Sequence, residues 1–171
     1  MDFASKIRNI PDFPIEGVLF RDITTLIRDK DAYPALIDEM AASLSDREVD
    51  LVIGPEARGF VIGAALAYAL GAGFVVARKP GKLPYKTMRY EYGLEYGNDI
   101  LEIHEDAIQP GQRVVFADDL LATGGTALAT LKLVEQAGGI VVGVRIAIEL
   151  SSEFDGRKPL AGYDVQSIMQ F

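Results

Sequence analysis

Val114-Val-Phe-Ala-Asp-Asp-Leu-Leu-Ala-Thr-Gly-Gly-Thr126 reads as a strand, an acidic corner, a glycine loop and the start of a helix. The apolar run Val114–Ala117 ends in the adjacent carboxylates Asp118 and Asp119. The small and hydroxyl residues Ala122, Thr123, Gly124, Gly125 and Thr126 then lead into a helical stretch ending near Ala137. Two glycines let backbone N–H groups turn inward with no Cβ in the way, and Thr123 and Thr126 add hydroxyl donors. A helix N-terminus behind them supplies partial positive charge, so the loop is expected to hold a phosphate. Carboxylates repel phosphate but hydrogen-bond well to sugar hydroxyls. A phosphate cradle beside two carboxylates therefore indicates a sugar phosphate. No Lys-Ser or Lys-Thr follows the glycines, which excludes a Walker P-loop, and no Gly-x-Gly-x-x-Gly follows a strand, so no dinucleotide site is indicated.

Working outward, short apolar runs at Leu51–Ile53, Phe74–Ala77 and Val114–Ala117 suit strands buried on both faces of a parallel sheet, and Ile140–Ile148 forms a fourth. Helical patterns alternate with them at Ala32–Leu44, at Phe60–Leu70 ending on Gly71, and after Thr126 up to Gly138-Gly139. This order predicts an α/β fold, a doubly wound, mostly parallel sheet flanked by helices. At 171 residues one domain over 1–171 is expected. Two segments break the alternation. Ile10–Phe20, with two prolines and a glycine, reads as an irregular arm that later becomes extended. Pro80–Gly97, rich in Gly, Pro, Lys and Tyr, is long for a βα connection and reads as a lid or binding loop.

Composition narrows the function. The chain has no cysteine, so thiolate metal sites and disulfides are excluded, and its one histidine, His104, excludes a multi-histidine zinc site. A net charge of −8 argues against a nucleic-acid partner. No apolar run approaches a membrane span and the N-terminus lacks a signal pattern, so a cytoplasmic location without membrane contact is expected.

Gly54-Pro-Glu-Ala-Arg-Gly59 follows the first apolar run directly and reads as a second anion-binding turn, with Arg58 as a bidentate donor. Its bland alternative is a tight turn with a solvated arginine. Arg78, Lys79, Lys82, Lys86 and Arg89 place five basic residues and no acid within twelve positions, a local reversal of field that would attract a polyphosphate. Two phosphate turns plus a basic loop imply phosphates at separated positions. A ribose 5-phosphate with pyrophosphate at C1 fits: its 5-phosphate in Thr123–Thr126, its hydroxyls on Asp118 and Asp119, its pyrophosphate near Arg58 and Lys79.

These residues resemble the phosphoribosyl-pyrophosphate signature of the type I phosphoribosyltransferases. The chain is more narrowly similar to the adenine phosphoribosyltransferase family, through Pro11-Asp-Phe-Pro14, Gly17-Val-Leu-Phe-Arg-Asp-Ile23, Gly54–Phe60, Arg78–Pro84, Leu94-Glu-Tyr-Gly97, Leu101-Glu-Ile103 and Asp118–Thr126. The phosphoribosyl signature is shared by many relatives; Phe-Arg-Asp-Ile together with Leu-Glu-Tyr-Gly is more specific. The resemblance implies a small N-terminal hood over 1–28 and a flexible lid loop over 80–97. It implies that main-chain groups of Leu19 and Arg21 read adenine while Phe20 stacks on it. Glu95 would handle the purine proton as N9 attacks C1, and Tyr96 would help close the lid. A cis peptide at Glu56–Ala57 would aim backbone N–H groups at pyrophosphate, joined by Arg58, Arg78, Lys79 and Lys82. Mg²⁺ would arrive bound to substrate oxygens rather than to protein side chains, and the protein would be a homodimer.

The leading expectation is a purine salvage enzyme making AMP and pyrophosphate from adenine and phosphoribosyl pyrophosphate. A 6-oxopurine phosphoribosyltransferase is the nearest rival, and it usually needs a lysine or aspartate near the base edge. A phosphoribosyl-pyrophosphate-sensing regulator is the third, and it usually carries an added DNA-binding segment.

Overall fold

The computed structural model describes residues 1–94 and 97–171. Its elements in chain order are β1 (Arg8–Pro11), β2 (Leu19–Asp22), α1 (Thr24–Ile27), α2 (Ala32–Ala42), β3 (Leu51–Pro55), α3 (Arg58–Leu70), β4 (Gly73–Ala77), β5 (Thr87–Leu94), β6 (Gly97–His104), β7 (Arg113–Leu121), α4 (Gly125–Gln136), β8 (Ile140–Glu149) and β9 (Val165–Gln170). Five strands form one sheet in the order β4-β3-β7-β8-β9, and every adjacent pair is parallel. The four apolar runs of the sequence are its first four strands.

Strand residues alternate between two cores, as a period of two requires. Val52, Val115 and Ala117 join Leu36 and Met40 of α2 and Ile62 and Leu66 of α3. Ile53, Val114 and Phe116 join Leu131 and Val134 of α4 on the other side. The sheet is thus covered on both faces, which is why its strands read as continuous apolar runs. From β3 the chain steps outward to β4 on one side, while β7 lies on the other side. That reversal is a topological switch point, where open parallel sheets form a crevice beyond their strand ends.

The structure corrects or extends the sequence reading at four places. The N-terminal arm is irregular between Pro11 and Leu19 and extended from Leu19, as expected, but its two ends also pair: β1 and β2 run antiparallel from Arg8↔Asp22 to Pro11↔Leu19. Its prolines sit at the turn and the strand end, where no ladder N–H is needed. The stretch expected to be a loop over 80–97 is irregular only from Pro80 to Lys86 among the described residues. Thr87–Leu94 pairs antiparallel with Gly97–His104, and the hairpin packs on α4. Its alternation of Met88, Tyr90, Tyr92 and Leu94 is a strand signal that the surrounding Gly and Pro obscured. β7 continues past the acidic pair to Leu121 instead of stopping at Ala117. Beyond what the sequence pattern predicted, β9 completes the sheet beside β8. Among the described residues, no helix is long and apolar enough to cross a membrane.

Candidate active site

A cleft of about 450 Å³ lies at the switch point, lined by Pro55–Arg58 from the end of β3 and by Asp118–Ala127 from the end of β7. The turns after the two strands approach closely. A Cβ on Gly54 would lie 2.6 Å from the Gly59 carbonyl oxygen and 3.2 Å from that of Ala117. Only glycine lets the two turns meet there. Each strand leads straight into a helix, α3 from Arg58 and α4 from Gly125, so two helix N-termini point at one cleft. Gly124 caps α4 at φ 84°, a left-handed conformation natural to glycine. The pairing of positive helix ends in one crevice suits a ligand carrying two anionic groups.

The acidic pair is largely withdrawn from water. Asp119 is buried, and its Oδ2 forms an ion pair with the Arg58 guanidinium at 2.8 Å. Burial lifts its carboxyl above the usual range, and Arg58 partly offsets that. Asp118 Oδ1 accepts the Asp119 N–H at 2.8 Å. Burial, and then the neighbouring Asp119 charge, push the Asp118 carboxyl well above the usual carboxylate range. Two adjacent carboxyls with one arginine between them form a site that gains from an incoming cation or hydroxyl donor.

Arg58 belongs to the first turn of α3, two residues ahead of the expected helix start, so it does not hang free in a turn. Its guanidinium carbon also lies 5.4 Å from the centroid of the Phe20 ring. Arg58 therefore joins the acidic pair to β2. Phe20 is half-buried and meets Phe13 edge-on at 5.2 Å. Arg21 donates to Asn9 Oδ1 at 2.6 Å and lies 4.3 Å over the Phe171 ring. The Leu19 side chain is partly exposed. The peptide bond Glu56–Ala57 is cis, as the resemblance implied.

The basic segment differs from its sequence reading. All five cations have acidic partners from elsewhere in the chain. Glu56 accepts the Lys79 backbone N–H at 2.6 Å and the Lys82 ammonium at 2.7 Å, with Arg78 at 3.5 Å. Burial works against the Glu56 charge, but Lys82, the Lys79 N–H and Arg78 outweigh it and hold the carboxyl below its usual range. Lys79 pairs with Asp99, whose hydroxyl neighbour Tyr92 also reaches within 3.4 Å of Thr126. Arg89 meets Glu102 at 3.9 Å and Lys86 meets Glu105 at 4.0 Å. The field of the segment is neutralised, and what remains is a set of cations held in place by Glu56 and Asp99.

Residues 27–165 match the model of the phosphoribosyl transferase domain. The chain is 56% identical over 171 residues to the adenine phosphoribosyltransferase of Alkaliphilus metalliredigens, covering all of both chains. It is 57% identical to that of Symbiobacterium thermophilum, again over the full length of both. The crystal structure of adenine phosphoribosyltransferase from Thermoanaerobacter pseudethanolicus superposes with a TM-score of 0.95 at 55% identity, covering 99% of this chain and 98% of that one. The chain belongs to the adenine phosphoribosyltransferases. As a member of that family it is a glycosyltransferase of purine salvage that forms AMP. A further relative, the yeast adenine phosphoribosyltransferase complexed with an imino-altritol bisphosphate and adenine, has a TM-score of 0.90 at 36% identity, covering 97% of this chain and 96% of that one.

Within the adenine phosphoribosyltransferase frame, Glu56, Ala57, Arg58, Asp118, Asp119 and Ala122–Thr126 converge on one cleft, Arg78, Lys79 and Lys82 do not line it but meet its wall through Glu56, and Phe20 reaches it through Arg58. Glu95 and Tyr96 lie outside the described residues. Sequence reasoning did not find Tyr92, Asp99, Gly156 or Phe171. Only Tyr92 carried a usable signal, its place in the alternation of β5. The others act through partners far away in the chain.

Proposed function

We propose that the cleft binds phosphoribosyl pyrophosphate with its 5-phosphate on the amides and hydroxyls of Ala122–Thr126 and its ribose hydroxyls on Asp118 and Asp119. The pyrophosphate takes the turn Glu56–Ala57 and the cations Arg58, Arg78, Lys79 and Lys82. The observation that carries this reading is the convergence of two helix N-termini with the half-buried Asp118 and the buried Asp119 at one switch point. Adenine lies against Phe20, its edge read by main-chain groups of Leu19 and Arg21.

Transfer breaks the bond between C1 and the pyrophosphate oxygen, and the electron pair leaves on pyrophosphate. N9 of adenine adds from the opposite face, and Glu95 handles the ring proton under a lid closed by Tyr96. Positive charge builds on the sugar ring as the bond breaks. Asp118 and Asp119, side by side at the end of β7, stabilise that charge more than they stabilise the neutral sugar, which is differential binding of the transition state. Helix N-termini and cations neutralise the departing pyrophosphate.

Mg²⁺ fits as a passenger of the substrate. Asp119 and Glu56 are already committed to Arg58 and Lys82, and no cluster of three or more metal-ligating side chains occurs among the described residues. When bound, the ion neutralises leaving-group charge. A cytoplasmic homodimer without a nucleic-acid or membrane partner completes the reading.

Steady-state kinetics with adenine, hypoxanthine and guanine, each with phosphoribosyl pyrophosphate and Mg²⁺, tests it. Adenine should be turned over at least about 100-fold more efficiently, because a site that hydrogen-bonds one base edge leaves its polar groups unpaired with another. Turnover of hypoxanthine in preference to adenine would overturn the reading.

A further inference from the structure

After β8 the chain forms a strap, Leu150–Leu160, that runs along the outer side of the phosphate loop before β9 begins. The Leu150 N–H donates to the Leu121 carbonyl at 3.0 Å, which starts the strap level with the end of β7. Farther on, Gly156 is buried against the loop. A Cβ on Gly156 would lie 2.2 Å from the Ala122 carbonyl oxygen and 3.0 Å from Leu121 Cγ. Reciprocally, a Cβ on Gly124 would lie 2.4 Å from the Gly156 carbonyl oxygen and 2.7 Å from Pro159 Cγ. Two glycines interlock, one on each segment, and the main obstacle on each side is backbone. No change of rotamer could relieve a side chain at either position.

The strap itself is anchored. Arg157, next to Gly156, grips Glu149 with two hydrogen bonds of 2.7 Å each, Nε to Oε1 and Nη2 to Oε2. The Ser167 hydroxyl donates to the same carboxylate at 2.5 Å. Arg157 and, with it, Ser167 hold the Glu149 carboxyl below its usual range although it is buried. A two-pronged ion pair on a buried carboxylate fixes orientation as well as position. The Arg157 Nη1 also donates to the Val165 carbonyl at 3.2 Å, tying the strap to β9.

We infer that this strap is a positioning element for the 5-phosphate cradle, with Gly156 and Arg157 as its positioning residues. The phosphate loop binds through backbone N–H groups beside the hydroxyls of Thr123 and Thr126, and the course of the backbone sets where the N–H groups point. The backbone of the strap, pressed against Ala122 and Gly124 from behind, sets that course. A displacement of about 1 Å at a binding constellation costs on the order of 100-fold in rate, and the deficit a Cβ on Gly156 would create is of that size. The inference rests on the phosphoribosyl reading of the cleft.

The test uses the full chain and ribose 5-phosphate, a probe with the 5-phosphate and no pyrophosphate. Titration calorimetry on Gly156→Ala is expected to show ribose 5-phosphate binding weakened at least tenfold. The KM for phosphoribosyl pyrophosphate should rise in parallel, while the KM for adenine stays within threefold. Arg157→Gln keeps the backbone free to relax and should shift the same two quantities about threefold to tenfold; it decides the matter if Gly156→Ala does not fold. Arg157→Lys, which restores the charge without the two-pronged grip, should recover part of the loss. Folded variants that bind ribose 5-phosphate within twofold of the unmodified protein would overturn the inference, as would an adenine KM that rises equally. An unmodified protein that fails to bind ribose 5-phosphate at all would overturn the phosphoribosyl reading instead.

Discussion

The phosphate loop and the basic segment, proposed to meet one ligand, are built in opposite ways. Ala122–Thr126 is contiguous, nearly uncharged and built from backbone groups at one strand–helix junction. The segment Arg78–Arg89 is charged, and each cation is aimed by an acid elsewhere in the chain, Glu56, Asp99, Glu102 or Glu105. The loop needs shape, and the segment needs partners. Damage to the loop should therefore act through geometry, and damage to the segment through lost ion pairs.

Gly124→Ala attacks shape most directly, because it combines a φ of 84° with a contact to the Gly156 carbonyl. It should lower kcat/KM for phosphoribosyl pyrophosphate about 100-fold or more in steady-state assays. A loss below threefold would show that the cradle tolerates distortion. Asp118→Asn should come next, with kcat/KM falling roughly 10- to 100-fold, the worth of one charge-assisted hydrogen bond. The same variant should melt at higher temperature at pH 7. The Asp118 carboxyl is raised in the folded state, so the folded protein favours its proton. Its contribution to stability is fully present below the unfolded carboxylate pKa of about 3.9 and is lost as pH rises through the folded value. The gain from Asn should vanish toward about pH 4 in melting scans, and a gain that persists there would refute this cause.

Glu56→Gln keeps the acceptor for the Lys79 N–H but frees Lys82 and Arg78 from their anion. We expect the KM for phosphoribosyl pyrophosphate to rise about tenfold, with ribose 5-phosphate affinity unchanged, since only the pyrophosphate end loses its organiser. Equal losses for both ligands would erase the distinction between loop and segment. Lys86→Ala should do least. Its partner Glu105 is 4.0 Å away and both are exposed, a geometry that contributes little. Kinetics and melting temperature unchanged within error would confirm that position, not the count of basic residues, gives the segment its role.

The legible parts of the molecule share one property. Val114–Ala117, the glycines and the start of α4 are neighbours in the chain, so burial pattern, turn chemistry and helix start can be read together. The parallel sheet was legible from its doubly buried strands for the same reason. The β5–β6 hairpin was not, because Pro80, Gly81 and Pro84 outweighed the weaker alternation of Met88, Tyr90 and Tyr92, and burial of Tyr92 depends on α4. β9 was not legible either: its residues are only partly buried apart from Met169, so its pattern is faint.

By itself the sequence determined that the chain builds a parallel α/β sheet with an acidic corner and a glycine loop leading into α4, because those features depend on residues within a few positions of one another. Only the tertiary structure decided which cations remain available, what holds them and what stands behind the cradle. Lys82 meets Glu56 across 26 residues of chain, and Gly156 meets Gly124 from beyond β8. Ionic partners and close backbone approaches are set by distance in space, and the separation of residues along the chain does not encode that distance.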